Sequence, residues 1–195
     1  MAKIDYVAEI RKRLGNFRFA HSLEVAKTAK ALAIQYGADP EKAYLAGVLH
    51  DIMKDAKSAE HLLIFEENNI ELNDIEKIAK KLWHAISGEW LVRTKLGIDD
   101  EEILNAIRYH TTGRAGMSLF EKVIFVADFI SADREYFGVD DMRKWAEIGL
   151  DIAIIEGLRF TICELAQKQK PIHPDTINAF NEFALKMRME ELKNE

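Results

Sequence analysis

The sequence predicts an all-α protein. Three observations carry that prediction: apolar residues recur at helical spacing along most of the chain, Ser, Asp and Asn stand where helices should start, and alternating strand patterns are absent. Ile4, Val7, Ile10 and Leu14 form a first helix stopped at Gly15, and Phe17, Ala20, Leu23, Ala26 and Lys27 lead a second that ends near Gly37. Asp39 caps a third, with Pro40 at the first position, where a missing N–H leaves no bond unmade. That helix runs through Ala43, Ala46 and Leu49 to His50 and Asp51. Ser58 and Asn73 are expected to cap two more, Asn73 with Glu76 three residues on as a capping box requires. Residues 82–96 form a helix closed by Gly97, and Asp99, Asp100, Glu101 and Glu102 give the next an acidic first turn, favourable to its dipole. Ser118 and Glu121 make a second box that opens the helix carrying Asp128; the apolar run 123–127 inside it is therefore helix. One long helix is expected over 141–168, and Asp175 is expected to cap the last after Pro171 and Pro174.

The chain has 195 residues, 48% of them hydrophobic, which suits one domain with a sizeable core. Disorder is expected only at the charged end, 190–195. A formal net charge of −6 repels a phosphate backbone and argues against nucleic acid as a partner and against a helical transcription factor. A small anionic ligand needs only a local cationic pocket. Cys163 is the single cysteine, so an intrachain disulfide and a thiolate metal cluster are excluded; its apolar neighbours predict a buried, inert thiol. The first 14 residues mix charges with apolar residues and lack the pattern of a signal peptide, and no run approaches the roughly 18 apolar residues that span a bilayer. The expectation is a cytoplasmic protein without a membrane partner.

Several polar residues fall where folding alone would place leucine. His21 lies four residues from both Phe17 and Val25, Asp128 sits between Phe125 and Phe129, and His50-Asp51 follow Val48-Leu49 directly. His84 follows Leu82-Trp83, and His110 ends a helix behind Ile107. An isolated ionised carboxylate in such a place costs several kcal/mol unless paired or metal-bound. A single inward histidine is usually a hydrogen-bonded core residue. Six residues of ligand type, drawn from five helices, point instead to a metal site. His61 lacks such company and reads as a surface residue.

The order His21, His50-Asp51, Asp128, with His84 and His110 between, resembles the HD-domain metallophosphohydrolases. The words His50-Asp51-Ile52-Met53-Lys54-Asp55, Tyr109-His110-Thr111-Thr112-Gly113-Arg114, Glu121-Lys122, Ala127-Asp128-Phe129-Ile130 and Ile172-His173-Pro174-Asp175-Thr176 are similar to its bacterial YqeK branch, over roughly residues 14–185. That branch splits diadenosine tetraphosphate symmetrically into two ADP. The resemblance implies a single HD-domain helical bundle over 1–195, with a metal-binding core over about 16–135 and C-terminal helices over about 139–192 completing the pocket. It implies that His21, His50, Asp51 and Asp128 hold a divalent transition metal, iron first and manganese or cobalt next, and that His84 and His110 hold a second ion or contact phosphate. Asp51 would position the metal-bound hydroxide that attacks phosphorus.

Substrate contacts are expected from residues near these ligands. Lys54 follows Asp51 by a turn, Arg18 precedes His21 by three positions, and Arg134 lies beyond Asp128 near the end of its helix. Thr111, Thr112 and Gly113 follow His110 and offer hydroxyls and a close backbone approach; His173 and Thr176 mark a proline-stiffened segment expected to border the nucleoside pocket. Asp55 is a candidate partner for a ligand histidine. The alternative readings are a nucleotidase or triphosphohydrolase acting on mononucleotides or guanosine alarmones, or a non-catalytic nucleotide-sensing module. The expected partner is a nucleotide, with a homodimer left open.

Overall fold

The computed structural model describes residues 4–193, and among these every regular element is helical. Helix α1 (Tyr6–Arg13) starts where the Asp5 carboxylate accepts from the Ala8 N–H, and α2 (Asn16–Tyr36) closes on Gly37 with φ 79°, in the left-handed region that glycine tolerates. Helix α3 (Pro40–Leu49) opens on Asp39, which accepts from the N–H groups of Glu41 and Lys42. Helix α4 (Ser58–Glu67) precedes α5 (Asp74–Ile78), where Asn73 and Glu76 complete the expected capping box. A 3-10 turn (Lys80–Leu82) leads into α6 (Trp83–Lys95), followed by α7 (Glu101–Tyr109), capped by Asp100, and α8 (Leu119–Ile130), opened by the Ser118–Glu121 box.

The C-terminal third departs from expectation in detail. The helix expected over 141–168 is two, α9 (Val139–Ile148) and α10 (Leu150–Gln167), broken at Gly149 by extended backbone (φ 175°, ψ 143°). Each half thereby buries its own apolar face, Met142 and Ala146 on α9 and Ala153, Ile154 and Leu158 on α10, which one straight rod would not achieve. Helix α11 (Pro174–Lys193) starts one residue before Asp175, which lies in its first turn. The capping role passes to His173, whose carbonyl accepts from Thr176 and Ile177 and whose Nδ1 accepts from the Asp175 N–H at 3.2 Å. Ser58 likewise is the first helical residue of α4, and Lys57 before it gives no side-chain cap. The charged end is helical as far as Lys193, while Asn194 and Glu195 lie outside the described residues. Cys163, expected inside, is exposed, because the solvent side of α10 carries it.

One continuous apolar core runs from Ile10 to Phe183, with α2, α3 and α8 at its centre and α7 and α10 packed against them. The closest approach is between α2 and α3: a Cβ at Gly47 would stand 2.6 Å from the Cα of Ala26, so only glycine admits this spacing. A smaller cluster of Phe65, Trp83 and Ile86 seats α4 on α6. His61 belongs to it and is 6% exposed, a correction to its surface reading. It lies four residues before Phe65 on the buried face of α4, and its Nδ1 donates to Ser87 Oγ at 2.7 Å, whose hydroxyl donates to the Trp83 carbonyl. No described helix is long and apolar enough to cross a membrane.

Candidate metal centre

Five elements bring six ligand-type side chains to one place inside the bundle. His21 comes from the second turn of α2, and His50 and Asp51 from just past the end of α3. His84 begins α6, His110 follows the end of α7, and Asp128 lies in the last turn of α8. Their ligand atoms gather in overlapping groups, His21–His50–Asp51, His50–His110–Asp128 and Asp51–His84–His110, each within 4.8 Å. Asp51 belongs to two of the three. All are buried except Asp128, whose side chain is 17% exposed. The face of α2 differs from expectation: Val25 is buried with His21, but Phe17 is 68% exposed, so the α2 start turns away from the core.

The orientation of the imidazoles follows from local backbone. His50, His84 and His110 each donate Nδ1–H to the carbonyl three residues earlier, of Gly47, Lys81 and Ile107, at 2.7 Å in every case. Each ring therefore presents the lone pair of Nε2 to the interior. His21 is turned by a side chain instead, donating Nδ1–H to Asp133 Oδ2 at 2.7 Å, with its Nε2 3.0 Å from Asp128 Oδ1. Ser131 Oγ donates to the other oxygen of Asp133 and holds it there.

These acceptors lie too close together without a cation between them. His84 Nε2 is 3.1 Å from His110 Nε2 and 3.1 Å from Asp51 Oδ1, and His50 Nε2 is buried without any hydrogen-bond partner. Buried polar atoms are nearly always satisfied, so an orphaned lone pair facing carboxylates fits a divalent ion. Burial brings both His50 and His84 down to about 4, which keeps them neutral and able to ligate near pH 7. Burial alone would raise Asp51 and Asp128. The imidazoles and the Lys54 ammonium around Asp51, and His21 and Arg134 beside Asp128, outweigh it and hold both well below the usual carboxylate range. Burial lowers His21, but Asp128 and Asp133 prevail and raise it, so the same two carboxylates draw positive charge to this corner.

Of the residues expected to touch substrate, three reach the cluster. Lys54 Nζ donates to Asp51 Oδ1 at 3.2 Å and to His84 Nε2 at 3.0 Å, and Thr111 Oγ1 donates to His110 Nε2 at 3.0 Å. Arg134 lies past the end of α8, where its guanidinium bonds the Asp128 carboxylate and backbone carbonyl and comes within 3.4 Å of His21 Nε2. Arg18 is half-buried against the Phe17 ring and makes no hydrogen bond to the cluster among the described residues.

The others make contacts within the chain. The buried Thr112 hydroxyl donates to Gly113 O, and the buried Thr176 hydroxyl donates to Thr112 O at 2.9 Å, latching α11 to the turn after His110. Gly113 has φ 64°, and a Cβ there would meet Leu158, Phe125 and Ala179, so glycine permits a left-handed turn in a packed place. His173 is buried beside Asn73 and Glu76. Asp55 accepts from the Gly15 N–H, away from every ligand histidine.

Sequence reasoning missed Asp133, because no pattern within the chain says which carboxylate meets His21 Nδ1. It also missed a cavity of about 370 Å³ that opens beside Asp128 and Arg134 and is walled by Phe129, Tyr136, Phe160, Thr161 and Glu164.

Comparison with known proteins assigns the chain to a family. The family model of the HD domain matches residues 18–133. The chain is 39% identical over 181 residues to a symmetrical bis(5'-nucleosyl)-tetraphosphatase of Bacillus subtilis, covering 93% of this chain and 97% of that protein. It is 41% identical over 179 residues to a protein of the same name from Halalkalibacterium halodurans, covering 92% of this chain and 95% of that protein. A crystal structure of a predicted HD superfamily hydrolase involved in NAD metabolism, from Clostridium acetobutylicum, superposes with a TM-score of 0.90 at 39% identity, covering 93% of this chain and 96% of that one.

Proposed function

The chain belongs to the HD-domain family and to its symmetrical bis(5'-nucleosyl)-tetraphosphatases, and from that premise we propose how its residues divide the work. It is a hydrolase of phosphoanhydride bonds that splits diadenosine tetraphosphate into two ADP. The single observation that carries the site assignment is the inward lone pair of His50 Nε2, buried and unpartnered among carboxylates.

His21, His50, Asp51 and Asp128 would hold the first divalent ion, and nitrogen and oxygen donors without thiolate suit iron, with manganese or cobalt as substitutes. His84 and His110 have spent their Nδ1–H groups on backbone carbonyls, so they face the cleft as acceptors. That favours a second cation, sharing Asp51, over direct donation to phosphate. When bound, the metal supplies Lewis-acid polarisation and an activated water.

The protein's own groups position the substrate. The Lys54 ammonium neutralises phosphate charge beside Asp51, the Thr111 hydroxyl offers a hydrogen bond, and the Arg134 guanidinium stands at the cavity mouth next to Asp128. Asp51 would orient the attacking water toward the phosphorus, and burial of the cluster limits access of bulk water. The leaving ADP is a stable anion and needs little acid assistance. We place the metal-binding core over about 16–135, with residues 139–192 walling the pocket. The lone exposed thiol, Cys163, suits a reducing compartment such as the cytoplasm.

Product analysis tests the reading. Diadenosine tetraphosphate should give two ADP, and ATP plus AMP would overturn symmetric cleavage. Asp51→Ala should remove both hydrolysis and tight metal binding while leaving helical circular dichroism in place; near-normal turnover at matched metal would remove Asp51 from its role.

A further inference from the structure

Beside the metal centre lies the cavity of about 370 Å³ noted above, within the range of about 300–1,000 Å³ usual for small-molecule sites. It adjoins the centre, since Asp128 and Arg134 belong to its lining. Its far wall is aromatic: the Tyr136 and Phe160 rings lie 5.4 Å apart at 39°. The Tyr136 hydroxyl donates to the Phe129 carbonyl at 3.1 Å, which fixes that ring, while Phe160 is 43% exposed. Glu164 follows Phe160 by one helical turn and lines the same cavity. A carboxylate only accepts hydrogen bonds. Its partner, Lys168, is itself half exposed, a weak surface pair that a ligand can displace.

We propose that this cavity is a purine subsite: one base of the substrate stacks on Phe160, Glu164 accepts from the amino-bearing edge of that base, and the phosphates pass Arg134 to the His/Asp cluster. The assignment rests on the dinucleoside tetraphosphate reading and deepens it. Base–aromatic stacking is worth roughly 5- to 150-fold in affinity and tolerates any base. Edge recognition supplies the preference. Adenine offers Glu164 its 6-amino group and guanine two adjacent N–H donors, whereas uracil offers one N–H between two carbonyls that repel a carboxylate. Guanine should bind at least as well as adenine, and uracil worst.

The test is calorimetric titration of the metal-loaded protein with ADP, GDP and UDP, and with inorganic pyrophosphate as a probe that has phosphates but no base. Phe160→Ala should weaken ADP about 10-fold and leave pyrophosphate unchanged, and Phe160→Leu, which keeps apolar bulk without a π-face, should behave similarly. Glu164→Gln should narrow the gap between purine and uracil diphosphates. Unchanged ADP affinity in both Phe160 variants, or an equal loss for ADP and pyrophosphate, would overturn the proposal. If the wild-type protein failed to split diadenosine tetraphosphate while ADP binding still depended on Phe160, the substrate assignment would fall and the base subsite would stand.

Discussion

His50 shows how one residue is prepared for ligation. Its Nδ1–H is spent on the Gly47 carbonyl, its Nε2 is left unbonded, and burial keeps the ring neutral. His84 and His110 repeat the device because each sits at a helix end with a carbonyl free three residues back. His21 lies inside α2, where the carbonyls behind it are taken, and needs Asp133 instead. Groups that orient a metal-bound histidine typically contribute 10–100-fold in metal affinity. Asp133→Asn should therefore weaken metal binding by about that factor in competition with a chelating dye, without loss of helix. An unchanged affinity would mean that packing alone orients His21. The histidines, Asp51 and Asp128 were legible from their places on apolar faces, whereas Asp133 was not, since it is exposed enough to pass for an ordinary loop carboxylate.

The helices that carry these side chains set their separation. His21 and His50 meet because α2 and α3 touch at backbone distance, Gly47 against Ala26. Gly47→Ala should force the two apart and destabilise by about 3 kcal/mol, near the upper end for overpacking. For a chain of this size that is roughly a 6–12 °C lower melting temperature. Metal affinity should fall with it, since the displaced backbone carries ligands on both sides; a melting point within a degree of wild type would show that the bundle absorbs the methyl elsewhere. Helix starts at Asp39, Asn73 and Ser118 were legible because caps are local chemistry. The break at Gly149 was not, because its cause is the need of α9 and α10 to bury different faces against helices distant in sequence.

At the scale of the whole molecule, buried charge ties remote segments together and makes stability depend on pH and metal. Glu76 accepts from Arg108 Nη2 at 2.6 Å and from the Asn73 N–H at 3.0 Å, with His173 Nε2 at 3.5 Å, joining α5, α7 and the entry to α11. Burial would raise its carboxyl, but His173, the Asn73 N–H and Arg108 bring it down to about 2. The stabilisation is complete above the ordinary glutamate value near 4.5 and is lost as pH falls from there to about 2, at most about 3 kcal/mol. Melting curves of Glu76→Gln should start lower at pH 6 and decline less steeply between pH 4.5 and 3 than those of wild type; parallel declines would assign the acid sensitivity to other groups. Removing metal with a chelator should lower the melting temperature, because an ion present at 100 times its dissociation constant stabilises the native state by about 2.7 kcal/mol. Iron(II) should restore it in wild type and not in His50→Ala.

The residues by themselves determined the all-helical class, most helix starts and the six ligand-type side chains that come together, because periodicity, caps and polar groups on apolar faces are properties of short segments. Tertiary structure alone decided that Thr112 and Thr176 bond one another and that Gly113 and His173 lie among packed neighbours, that His61 is buried, that Asp133 meets His21, and that Tyr136, Phe160 and Glu164 line the adjoining cavity. Those roles depend on which helices pack together, and contacts between segments a hundred residues apart leave no mark in the local pattern of either.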